Sequence, residues 1–120
     1  MFKNLISWAR IYGMENINIR TFIDGMPVQR EKQTTVTKKQ IKIDAVAFNQ
    51  GDDDTDDGFL IQSLVHQLIA NYVYTAKLEI KDIKTGTVYV SCLGELVSYN
   101  LSSKEHEPVE CSVIFKIIEK

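Results

Sequence analysis

The chain has 120 residues, 44% of them hydrophobic and 25% charged, with 14 basic and 16 acidic side chains. That length and apolar content fit one domain and exclude a disordered chain. Two cysteines are too few for a disulfide scaffold, two prolines and six glycines exclude collagen-like and low-complexity classes, and a formal charge of −2 argues against a dedicated nucleic-acid binder.

No run reaches the roughly 18 apolar residues of a membrane helix. Residues 1–10 hold a short apolar stretch broken by Arg10, without the longer core and cleavage site of a signal peptide. Leu5, Trp8, Ala9 and Tyr12 recur near helical spacing, so the first dozen residues read as a short helix ending at Gly13, or as an arm that docks on a neighbour. Ile17, Ile19, Thr21 and Ile23 then alternate with Asn18, Arg20 and Phe22, predicting a strand that stops at Asp24-Gly25. Asp-Gly between extended runs is a hairpin signal, because a tight turn requires positive φ. Pro27 marks an edge or an irregular strand start.

Residues 29–40 are polar and charged, with Arg30, Glu31, Lys32, Lys38 and Lys39 around Thr34, Thr35 and Thr37. Threonine favours strands, so the stretch reads as a solvated hairpin projecting from the body. Ile41, Ile43 and Ala45 alternate with Lys42 and Asp44 as a further strand. Asp52, Asp53, Asp54, Asp56 and Asp57 then form the one composition break. Without those five the balance is 14 basic against 11 acidic residues, or +3, so the near-neutral total conceals a segregated charge.

Leu60, Ile61, Leu64, Val65, Leu68, Ile69 and Tyr72 recur at helical period opposite Gln62, Ser63, His66, Gln67 and Asn71. The spacing predicts an amphipathic helix over residues 59–74, capped by Asp56 or Asp57. The rest reads as antiparallel sheet. Tyr74, Ala76, Leu78 and Ile80 share one strand face, a turn covers residues 82–87, and a strand from Val88 passes a bulge or bend at Gly94 on its way to Leu101. Residues 102–108 reverse the chain, and a last strand places Val109, Cys111, Val113, Phe115 and Ile117 on one face. The expected fold class is mainly β (α+β), with one flanking helix.

Little of this sequence carries chemistry. Asp53, Thr55, Asp57 and Gly58 imitate the start of an EF-hand loop, but its twelfth position, a bidentate Glu in a calcium site, is Leu64. His66 and His106 lack partners at metal-ligand spacing, and Cys92 and Cys111 lie in strands in register with valines, as reduced core residues would. Glycine-rich phosphate loops, GxSxG and HExxH are absent. We therefore expect no catalytic residues, no metal and no cofactor, and a protein that is not an enzyme. A small sheet leaves strand edges that must be covered or paired, which suits a subunit that completes itself in an oligomer.

The order of elements adds to this. An early strand ends in Phe22-Ile23-Asp24-Gly25, and a polar hairpin, a second strand, an acidic loop and one amphipathic helix follow. A closing meander carries Ile83-Lys84-Thr85-Gly86-Thr87-Val88-Tyr89, Ser98-Tyr99-Asn100-Leu101-Ser102 and Glu107-Pro108-Val109-Glu110-Cys111-Ser112-Val113-Ile114-Phe115. Over residues 16–118 this layout resembles the tail-tube proteins of bacteriophages and the inner tubes of related contractile injection machines. The resemblance implies an antiparallel β-sandwich or barrel with one flanking helix, six copies forming a ring by sheet extension, and rings stacking into a hollow conduit for DNA. It implies that the hairpin of Arg30, Glu31, Lys32, Lys38 and Lys39 contributes to ring stacking. The loop of Asp52, Asp53, Asp54, Asp56 and Asp57 faces either an electronegative lumen or the outer surface. The partners would be other copies of the chain, sheath, baseplate or terminator proteins, and DNA in transit. The place would be the virion tail, assembled in the host bacterial cytoplasm. Two alternatives are another tail component, such as a terminator or baseplate protein, and a small immunity or inhibitor module whose acidic loop blocks a basic cleft.

Overall fold

Alternation with one buried face is the rule along most of the chain, and a single antiparallel sheet results. In the computed structural model, which describes residues 9–13, 16–46, 58–103 and 109–119, the strands are β1 (Arg10–Tyr12), β2 (Ile19–Ile23), β3 (Met26–Pro27), β4 (Glu31–Val36), β5 (Gln40–Val46), β6 (Thr75–Asp82), β7 (Val88–Ser102) and β8 (Glu110–Glu119). One helix, α1 (Ser63–Ile69), lies between β5 and β6. The strand order is β1-β4-β5-β8-β7-β6-β2-β3, and the sheet curls into a half-barrel. The protein is thus mainly β, with one short helix among the described residues, built from one curled sheet.

The core lines the inside of the curl. Ile41, Ile43 and Ala45 of β5, Ala76, Leu78 and Ile80 of β6, and Cys111, Val113 and Phe115 of β8 are buried, and Leu64 and Val65 of the helix, with Ile61 just before it, pack against them. Each strand supplies alternate residues because successive side chains point to opposite faces. At Asp24-Gly25 the chain reverses with φ of +50° and +87°, and Ile23 pairs with Met26, as a two-residue turn with both central residues at positive φ requires.

Gly94 sits where the ladder with β8 shifts register, between Leu93 and Gly94. A Cβ there would stand 2.7 Å from Leu78 Cδ1 and 3.0 Å from Phe115 Cβ. Gly94→Val is therefore expected to lower stability by about 1–3 kcal/mol through overpacking, read as a fall in the urea midpoint at unchanged m-value.

Several expectations need correction. Arg10–Tyr12 is a strand paired with β4 rather than the end of a helix, and residues 1–8 lie outside the described chain. The helix spans Ser63–Ile69 rather than residues 59–74. Phe59 instead bridges Val28, with Phe59 N–H donating to the Pro27 carbonyl at 2.8 Å and Gln29 N–H donating to the Phe59 carbonyl at 2.9 Å. At the other end Asn71 adopts φ +62°, which stops the helix and releases residues 72–74 as an extended lead into β6. The helix N-cap is Gln62, with no side-chain cap, and the expected capping residues Asp56 and Asp57 lie outside the described residues. The apolar stripe is also only partly used, because Ile61, Leu64 and Val65 pack inward while Leu60, Ile69 and Tyr72 stay exposed.

Tyr74 ties the start of β6 to the β2–β3 turn through a hydrogen bond to the Asp24 carboxylate, whose Oδ1 also accepts from Lys77 N–H at 2.9 Å. Burial first, and the adjacent Asp24 charge second, push the phenol above its ordinary 10.0. An acid whose folded pKa is raised stabilises the fold fully below its unfolded pKa and loses that contribution as pH rises through the folded value. Stability is therefore expected to fall above pH 10 more steeply in the parent than in Tyr74→Phe, measured by urea unfolding across an alkaline series.

Candidate assembly surface

The residues of the expected projecting hairpin are separated by the fold. Glu31–Val36 forms an interior strand of the sheet, with β1 on one side and β5 on the other, so the hairpin does not project. The reason is Thr34 and Val36, which are buried at 0% and 5% exposure while Gln33 and Thr35 face outward. Arg30 precedes the strand at φ +56°, and its carbonyl accepts from Val46 N–H at 3.0 Å. Lys32 is exposed and pairs with Glu110 at 3.0 Å, a solvated contact worth about 0–1 kcal/mol. Lys38 and Lys39 sit at the far end, in a turn held by Thr37, whose Oγ1 accepts from Gln40 N–H at 3.2 Å. A strand of this length puts the two basic groups roughly 20 Å apart.

Glu31 is the member of this set that turned inward. β2 and β4 are not ladder neighbours, and the curl brings their faces together. Across that seam the Glu31 carboxylate, 3% exposed, accepts from Thr21 N–H at 2.8 Å and Thr21 Oγ1 at 2.6 Å. It also accepts from Thr34 Oγ1 at 2.5 Å, and the two hydroxyls lie 2.7 Å apart. Arg20 Nε stands 3.8 Å from Glu31, and the Arg20 guanidinium also donates to the Val28 carbonyl. The half-barrel is thus closed on this side by side chains where a ladder would otherwise run.

The acidic residues Asp52, Asp53, Asp54, Asp56 and Asp57 and His106 lie outside the described residues. His66 is exposed on α1, and no cluster of metal-ligating side chains occurs among the described residues. Cys92 and Cys111 are both buried and not disulfide-bonded, and burial pushes the Cys111 thiol up, away from reactivity.

What the sheet does leave is an edge. β6 pairs with β7 as far as Thr75 opposite Glu95, and Leu96 N–H donating to the Tyr74 carbonyl at 2.9 Å is the last rung on that side. β7 nevertheless runs on to Ser102, held only by β8 among the described strands. A register shift between Leu96 and Ser98 places a bulge at Val97, after which Tyr99 lies opposite Val113 and Leu101 opposite Cys111. Cross-strand partners share a face, so Tyr99 and Leu101 continue the core side of the hairpin beyond the point where other elements cover it. Val97, Tyr99 and Leu101 are 45%, 40% and 49% exposed, and nearby Val73, just upstream of the last rung, is 80% exposed.

The other edges are blunter. β3 has two residues, one of them Pro27, which lacks an N–H, and β1 has three. In the sequence residues 96–101 read simply as more strand. The missing signal is the place where β6 begins, which the termination of α1 at Asn71 decides.

Compared with family models, curated proteins and solved structures, the chain matches none of them.

Proposed function

We propose that this chain is a structural subunit that assembles with copies of itself by sheet extension, in the manner of a phage tail-tube or injection-machine inner-tube protein. The observation that carries the reading is the edge of β7 at residues 97–102, unpaired among the described residues, with alternate apolar side chains along a row of backbone donors and acceptors. Such an edge is a template for another strand, and main-chain hydrogen bonds supply affinity while the side chains set register. Head-to-tail use of the edge closes into a ring or runs on as a filament, depending on the rotation between copies. Six-fold rings, stacking into a DNA conduit and a place in a virion tail beside sheath, baseplate or terminator proteins belong to this reading through the layout resemblance.

The test is light scattering and negative-stain electron microscopy of the purified chain over a concentration series. Rings or tubes are expected, and Val97→Lys with Leu101→Lys should raise the concentration needed for assembly by roughly tenfold or more, about 1.4 kcal/mol per interface, while circular dichroism stays unchanged. A parent protein that stays monomeric throughout the series overturns the proposal.

A further inference from the structure

Away from the β7 edge, the curled sheet leaves a cavity of about 310 Å³ in its mouth. Tyr12 of β1, Val36 of β4, Tyr89, Val90 and Cys92 of β7 and Ile117 of β8 line it. Tyr12 of the three-residue β1 reaches across it to Tyr89, ring centroids 5.9 Å apart, and no described strand fills the space between. The volume is that of roughly ten waters at about 30 Å³ each, at the small end of ligand sites. Apolar walls hydrate poorly and lack packing partners, so an apolar body entering there gains both contacts and burial.

The polar side chains described in the same cavity are few. Arg10, Thr37 and Ser91 complete the described lining, and no carboxylate is among those residues. Arg10 makes no side-chain ion pair or hydrogen bond among the described residues. A permanently charged guanidinium with no counter-ion among the described residues, at the rim of an apolar and aromatic pocket, matches a carboxylate bidentately.

We infer that the mouth of the half-barrel binds a small amphipathic carboxylate, of about ten non-hydrogen atoms, with its apolar body between Tyr12, Tyr89 and Ile117 and its carboxylate on Arg10. This site is separate from the β7 edge, and a monomer is enough to test it. Titration calorimetry with octanoate, and with octanol as its neutral counterpart, reads the affinity. Arg10→Gln should weaken octanoate about tenfold or more, the value of a charge-assisted hydrogen bond, and leave octanol unchanged. Val90→Trp should block both. Cys92 supplies a second readout that needs no substitution, because it lines the cavity whereas Cys111 is fully buried. Bound octanoate should slow modification of Cys92 by a small maleimide. No octanoate binding by the parent, equal octanoate affinity in Arg10→Gln, or no protection of Cys92 overturns the inference.

Discussion

Leu64→Asp is expected to leave no folded protein. Leu64 is 1% exposed and packs with Ile61 and Val65 against the inside of the curl. Removing the leucine forfeits about 2–3 kcal/mol of burial, and the carboxylate that replaces it has no partner in an apolar layer, which costs several kcal/mol more. A domain of this size holds about 5–15 kcal/mol in all, so the two terms together reach its whole stability. Near-UV circular dichroism and the soluble fraction measure the loss. The matched control is Ile69→Asp on the same helix, where 65% exposure lets the new charge stay hydrated and stability should change by about 0.5 kcal/mol or less. If the two variants unfold alike, the helix does not pack by the face assigned to it.

The second large effect is expected at Glu31. Glu31→Ala leaves Thr21 N–H and the Thr21 and Thr34 hydroxyls without their acceptor in a seam where both threonines are 0% exposed. Buried donors left unmade cost about 1–3 kcal/mol each, and Arg20 loses its carboxylate as well, so a total of about 3–5 kcal/mol is expected from urea unfolding. Glu31→Gln keeps the shape and one acceptor for Thr21 N–H and should lose less than half as much. Thr21→Val with Thr34→Val removes the donors instead of the acceptor, and combined with Glu31→Ala it should cost less than the sum of the parts, since these groups act as one network. Full additivity would mean that the seam is not held by this cluster.

Both predictions concern places where local pattern and tertiary context disagree. Glu31 stands in a polar stretch whose composition describes a solvated hairpin, yet it is buried because two threonines from different strands meet it across the curl. Nothing within residues 29–40 announces Thr21 as a partner. The helix shows the converse error. Its apolar stripe runs from Leu60 to Tyr72, but Phe59 is drawn into a bridge with Val28 and residues 72–74 into the approach to β6, so only the middle stays helical. Seven residues of helix are marginal alone, and tertiary packing sets the length.

The candidate assembly edge was only half legible. Alternation identified residues 96–101 as strand, whereas an edge is a statement about a partner that is missing. That depends on β6 starting at Thr75, beyond a helix end that Asn71 fixes with a positive φ. The cavity was not legible at all, since its walls come from β1, β4, β7 and β8, strands far apart in the chain.

By itself the sequence determined the strands that bury one face, β5, β6 and β8, and the Asp24-Gly25 reversal, because two-residue periodicity and positive-φ turns are properties of neighbouring residues. It also determined that the protein is mainly β. Only the tertiary structure decided that β8 lies between β5 and β7, that β2 joins β6, that Glu31 is inside and that the end of β7 stands unpaired among the described strands. Those outcomes turn on which distant strands meet and where each one stops, a balance of loop closure and burial summed over the whole chain that no local window contains.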